Sequence, residues 1–229
     1  WTDAVGTAAL WHAVLNLGVP LAASAGSDVM NNLYRTMAIG ATRVYVQPRG
    51  ALTTASYLEA LKAGRSFVST GPLLEFDVSG QGPGGVIESP GESAEWSLQV
   101  HSALPVDRVQ IFVNGTVVSE LEGTDAAGSR QYGGEIDVPS GGWVTARVLG
   151  ENPGWPVLDS YQYAETSPVW FHAVGSTDAE SRNRAAQQLL VELDVKEQAL
   201  IDAYGNANLP RLRAHFQDAR ERLQGLITQ

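Results

Sequence analysis

Apolar residues recur along the chain with two different periods, and the change of period divides it into three parts. Up to residue 71 the pattern switches between helical and extended. Leu10, Val14 and Leu17 stand at i, i+4 and i+7 with Trp11 beside them, and Gly18 follows as a stop, which predicts a helix ending there. Short apolar runs at Leu21–Ala25 and Ala41–Val46 predict strands. A helix is expected from Thr54 to Ala63. Ser56 and Glu59 have capping-box spacing there, Thr53 or Thr54 are alternative caps, and Gly64 closes the helix. Arg65–Thr70 then returns to strand. Strand–helix–strand alternation of this kind predicts a partial parallel α/β layer over residues 1–71.

From 72 to 174 the period becomes two. Leu74, Phe76 and Val78 alternate with polar residues, and so do Trp96, Leu98 and Val100, then Val109, Ile111 and Val113, and later Val144, Ala146 and Val148. Asn114-Gly115 sits between two such runs and predicts a hairpin, because both central turn residues favour positive φ. Runs near 73–79, 94–102, 108–113, 116–121, 130–138, 142–149 and 165–172 make seven strands, the number expected of an immunoglobulin-like β-sandwich without its disulfide. The Gly- and Pro-rich stretch from Gly80 to Gly91 reads as a loop. Residues 175–229 turn helical. Thr177 and Asp178 are candidate caps, Ala185, Ala186, Leu189, Leu190 and Leu193 mark one face, and Gly205 and Pro210 separate a second helix with Leu212, Phe216, Ala219, Leu223 and Leu226. The fold class expected is therefore multidomain α+β, ending in a helical hairpin that could also support a homodimer.

Composition narrows the function classes. A chain of 229 residues with 44% hydrophobic and 17% charged residues can bury a sizeable core. Its net charge of -10 argues against nucleic acid as a partner, since phosphate recognition needs clustered Lys and Arg. The absence of Cys removes disulfides, thiolate metal sites and cysteine nucleophiles. No apolar run is long enough for a membrane-spanning segment. The compartment stays open between periplasmic or secreted and cytoplasmic in a bacterium.

Candidate chemistry is sparse. Asp28 follows the small apolar run Ala22-Ala23-Ser24-Ala25-Gly26-Ser27, where a strand end would present a hard oxygen ligand to a divalent metal; the alternative is a helix N-cap. Arg43 and Arg65 fall in or at the start of extended runs, as partners for an anionic substrate or for an acidic neighbour. His12, His101, His172 and His215 show no metal-binding spacing, and His101 is expected to face outward. No nucleophile elbow or phosphate loop is present. Asn114-Gly115-Thr116 fits a glycosylation pattern that the hairpin turn also explains. Trp143, Trp155, Tyr161 and Tyr163 are candidates for a carbohydrate-binding face.

Several segments together carry a resemblance. They are Leu15–Gly18, Ala25–Asp28, Thr42–Val46, Ala63–Leu74 with its Gly-Arg-Ser-Phe-Val-x-x-Gly-Pro string, Val113–Gly115 and Tyr163–Val169. In this order the chain resembles the C-terminal part of the CehA/McbA-type metallohydrolases, relatives of the polymerase-and-histidinol-phosphatase (PHP) superfamily. The resemblance implies a distorted barrel whose strand ends hold one to three divalent metals (zinc, manganese or iron), with residues 1–71 as its C-terminal remnant, followed by a β-sandwich. It implies hydrolysis of an ester, amide or phosphoester bond in a small-molecule substrate by a metal-activated water. Asp28 matches the Asp of the family's Gly-x-Asp-x-His motif, and Met30 stands where that motif has His. Arg65 or Arg43 would steady developing negative charge. The early ligands have no counterpart here, so the chain reads as the C-terminal fragment of such an enzyme, inactive alone and without a metal of its own. The other reading is a non-catalytic sandwich that binds carbohydrate or a protein partner.

Overall fold

The computed structural model describes residues 4–27, 39–151, 153–155, 161–205 and 210–227. Among them are four helices and eleven strands, the strands arranged in two sheets and no barrel. The first helix, α1 (Ala4–Asn16), stops at Gly18, whose φ of +83° suits glycine. Strands β1 (Arg43–Val46) and β2 (Ser66–Ser69) flank α2 (Thr54–Lys62). Thr53 is the N-cap, and its box is completed by Ser56 rather than by Glu59.

Two expectations for this region are corrected. Leu21–Ala25 forms no strand: side chains, not a ladder, hold it, with Ala23 N donating to Ser167 Oγ (3.1 Å) and Ser66 Oγ donating to Ala23 O (3.3 Å). The layer is also not parallel, because β1 and β2 pair antiparallel, Arg43 opposite Ser69 and Val46 opposite Ser66. A parallel crossover needs its helix packed on the sheet face. Here α2 buries only Ala60, and Gln47 N donates to Arg65 O (2.8 Å), so residues 47–65 close as a long hairpin loop.

The remaining strands are β3 (Leu73–Val78), β4 (Val86–Ile87), β5 (Ser93–Ser102), β6 (Val106–Val113), β7 (Thr116–Thr124), β8 (Gly128–Asp137), β9 (Gly142–Gly150), β10 (Gln162–Thr166) and β11 (Val169–Phe171). The strand expected over 165–172 is thus two, split at Ser167-Pro168, because proline cannot donate to a ladder. One sheet is β3-β5-β8. The other holds eight strands centred on β9, which pairs with β6 along one edge and with β10 and β11 along the other. β2 pairs with β10, so β1 and β2 extend this larger sheet across residue 71.

Period two fixes which side chains meet. Val144, Ala146 and Val148 of β9 face β3-β5-β8, and with Trp96, Leu98 and Val100 they form the main core. Trp143, Thr145 and Arg147 alternate onto the opposite face. All nine residues of β9 are nevertheless buried, because α1 lies against that second face through Leu15, beside Phe112, Trp143 and Trp170. The chain ends in α3 (Ala179–Tyr204), capped by Asp178, and α4 (Pro210–Ile227), separated by Gly205 at φ +74°.

Candidate functional site

Beneath α1 the second face of the large sheet carries charge. Glu165 of β10, with no exposed surface, is the hub. His12 of α1 approaches its Oε1 at 2.7 Å, and Thr145 Oγ1 donates to the same oxygen at 3.5 Å. Arg147 donates from Nε to Oε2 (3.0 Å) and from a terminal nitrogen to Oε1 (3.4 Å), and the Tyr163 hydroxyl donates to Oε2. Both oxygens are filled. The hydrogen bond to an ionised carboxylate requires His12 Nε2 to carry its proton.

Burial raises the carboxyl's pKa. That is outweighed by the hydrogen bond and charge of His12, the charge of Arg147 and the Tyr163 hydroxyl, so Glu165 is held below the ordinary carboxylate range. Burial first, and then the Glu165 charge, push the Tyr163 phenol well above its usual value. Arg147 also stacks over the Phe112 ring at 4.3 Å.

A second set of polar contacts adjoins the first at Asn114. This residue and Gly115 have φ of +49° and +76°, as the hairpin pattern requires. Asn114 Oδ1 accepts from Trp143 N (2.9 Å), and its Nδ2 donates to Gly141 O (3.0 Å) and to Asp178, the cap of α3. Its backbone carbonyl accepts from Asn16 Nδ2 (2.9 Å), while Asn16 Oδ1 accepts from Trp143 Nε1 (2.9 Å). Being buried, Asn114 is no glycosylation acceptor. Asp178 is held below its usual pKa: burial raises it, but hydrogen bonds from Ser181 and Asn114 prevail.

Chemically, this face is a clamp. Each acceptor is occupied and the groups are buried, leaving no lone pair on Glu165 for a substrate or a metal. Among the described residues no three His, Asp or Glu side chains come together as a metal site. His101 lies on the outer face of β5, as expected, bonded to Ser129 (2.6 Å) and Glu75 (3.3 Å), and His172 contacts Pro139 O.

Of the residues singled out from sequence, Asp28 lies outside the described residues, as does Met30. Arg65 donates to Glu59 (2.9 Å) and to Gln47 O (3.2 Å), at the base of the 47–65 loop. Arg43 is exposed, 5.9 Å from the Tyr45 ring. The two arginines stand at opposite ends of the β1–β2 ladder, about 13 Å apart at strand rise, and do not converge. Of the four aromatics expected on a sugar-binding face, Trp143 and Tyr163 are buried, because α1 covers the face they point to; Trp155 is 81% exposed. The chain matches no family model, no curated protein and no solved structure.

Proposed function

We propose that the chain is the C-terminal part of a CehA/McbA-type metal-dependent hydrolase of ester, amide or phosphoester bonds, and that it supplies that enzyme's scaffold. The observation that carries this reading is a convergence. The segments bearing the resemblance are far apart in sequence, and they bond to one another. Ser27 Oγ accepts from Gly40 N (2.9 Å) and donates to Thr42 O (3.2 Å), β1 and β2 pair, and Ser167 N donates to Ser66 O (2.9 Å). Asn16 ties Leu15–Gly18 to Asn114 in the same way. These contacts make two groups, one of four segments joined through β1, β2 and Ser167 and one of Leu15–Gly18 with Val113–Gly115.

In this reading residues 72–174 are the family's immunoglobulin-like sandwich and residues 1–71 the C-terminal portion of its catalytic barrel, with β1 and β2 hydrogen-bonded onto the larger sheet. In this reading the chain's contribution to metal binding is Asp28, and Arg43 or Arg65 steadies an anionic substrate. A binding-module reading is left with Trp155 and Tyr161 as its aromatics.

The test is to express the chain together with the coding sequence that precedes it. Bound zinc, manganese and iron are measured by mass spectrometry, and hydrolysis of nitrophenyl esters and phosphodiesters is followed. The longer protein is expected to bind metal and turn over substrate, Asp28→Ala to lose metal, and the 229-residue chain to hydrolyse neither substrate. A preceding reading frame without a His-x-His after a strand, or a longer protein free of metal, would sink the proposal.

A further inference from the structure

The hairpin of α3 and α4 is held along one side by charge. Arg220 reaches Asp194 (2.8 Å) and Glu197, and Arg213 lies 3.7 Å from Glu197, which puts Asp194 level with Ala219 and Arg220. Its apolar residues are only half covered. Leu212, Phe216, Ala219, Leu223 and Leu226 recur at four and three residues, the spacing of a helix that packs in a bundle, yet no residue of α4 is buried. On α3 only Ser181, Ala185 and Ala186, near its start, are buried. Beyond them a groove of about 580 Å³ lies open between α1, α3 and α4, floored by apolar side chains, with Glu192, Lys196 and Arg222 along its walls.

We propose that a second copy of this chain closes the groove, the two hairpins packing antiparallel about a two-fold axis at the level of Asp194 and Ala219. The charges fit their own image. Glu192 and Lys196 stand two residues either side of Asp194, so an antiparallel crossing of the two α3 helices there sets each Glu192 against Lys196 of the other copy. The apolar residues obey the same axis. On α4 it falls between Ala219 and Arg220, which brings Phe216 against Leu223 of the second copy and leaves small Ala219 at the crossing. Two helices side by side over the length of α4, about 27 Å by 20 Å, bury about 1,000 Å² in total, enough for a specific interface. A free fatty acid is the other occupant the apolar floor would suit, with Lys196 and Arg222 beside its carboxylate.

Sedimentation of the full chain, up to about 200 μM, tests this. A dimer is expected. Lys196→Glu sets like charges together and raises its dissociation constant about tenfold, and Glu192→Lys combined with Lys196→Glu restores it. Phe216→Glu gives a monomer of unchanged helix content by circular dichroism, and the charge swap on the helix walls carries the test if that variant misfolds. A monomer over the whole range, whether or not it takes up a fluorescent fatty acid, overturns the proposal, as does a double variant that fails to restore pairing.

Discussion

Glu165 keeps its charge inside the molecule, and this ties stability to pH. A carboxyl depressed on folding contributes stability above its unfolded value and loses it as pH falls toward the folded one. Glu165, and Asp178 with it, therefore destabilise the fold as pH drops below the ordinary values of 4.5 and 3.8. Glu165→Gln leaves the buried Arg147 without its counter-charge, and is expected to cost about 3–5 kcal/mol at neutral pH while flattening the acid limb. Urea titrations from pH 7 down to about pH 3 check both. An acid limb as steep as the parent's would remove Glu165 from the account. Gly142 tests the Asn114 contacts by another route. Its φ is +140°, and an added Cβ would fall 1.8 Å from Asn114 Oδ1, whereas Gly50, at φ +75°, has nothing within 4 Å. Gly142→Ala is expected to lose about 1–3 kcal/mol more than Gly50→Ala, since only the first adds a clash to the backbone strain. Thermal denaturation of the pair separates the two costs. Sequence could not show this clamp. Thr145, Arg147 and Glu165 sit at the polar positions of alternating strands, a pattern that reads as a solvated face, and the helix covering them comes more than a hundred residues earlier.

Helix α1 is what turns that polar face into an interior. It docks through one fully buried leucine and two hydrogen-bonding residues, His12 and Asn16, set four apart on one face of the helix. Leu15→Ala empties the space beside Phe112, Trp143 and Trp170, and is expected to cost about 2–5 kcal/mol, read from chemical denaturation, with a change in tryptophan fluorescence because Trp143 lies in that cluster. A loss below about 1 kcal/mol would mean that α1 is not packed as described. That a helix stops before Gly18 was legible from Leu10, Val14 and Leu17, although the residues it buries are Ala8, His12, Ala13, Leu15 and Asn16; the Asn114-Gly115 hairpin and the cap at Asp178 were legible too, because each rests on local spacing. The antiparallel pairing of β1 and β2 was not legible. A helix between two strands fits either a crossover or a long hairpin loop. What decides is that α2 buries only Ala60, a tertiary fact with no local signature.

At the scale of the molecule, β2 lies between β1 and β10, so the extended region before residue 71 shares hydrogen bonds with the sheets that follow. A period change in the sequence marks where the covering changes, and not where cooperation ends. Residues 43–69 and 73–171 are expected to open together, with β9 and β10 exchanging amide hydrogens slowest and β2 close behind, because all belong to one ladder. The α3–α4 hairpin is different. Without a buried residue on α4, its helices rest on a half-covered seam and on ion pairs that are individually weak in water. Its amides should therefore exchange fastest among the helices in dilute protein. If a second copy closes the groove, mass action stabilises the hairpin as concentration rises, while β9, buried within one chain, does not respond. Hydrogen exchange at about 2 μM and about 200 μM reads this directly: protection that grows in 189–226 and stays constant in 142–150 is the expected result. Protection of the hairpin independent of concentration would place its stability within the single chain and leave the half-covered heptad stripe of α4 without a second copy to close it.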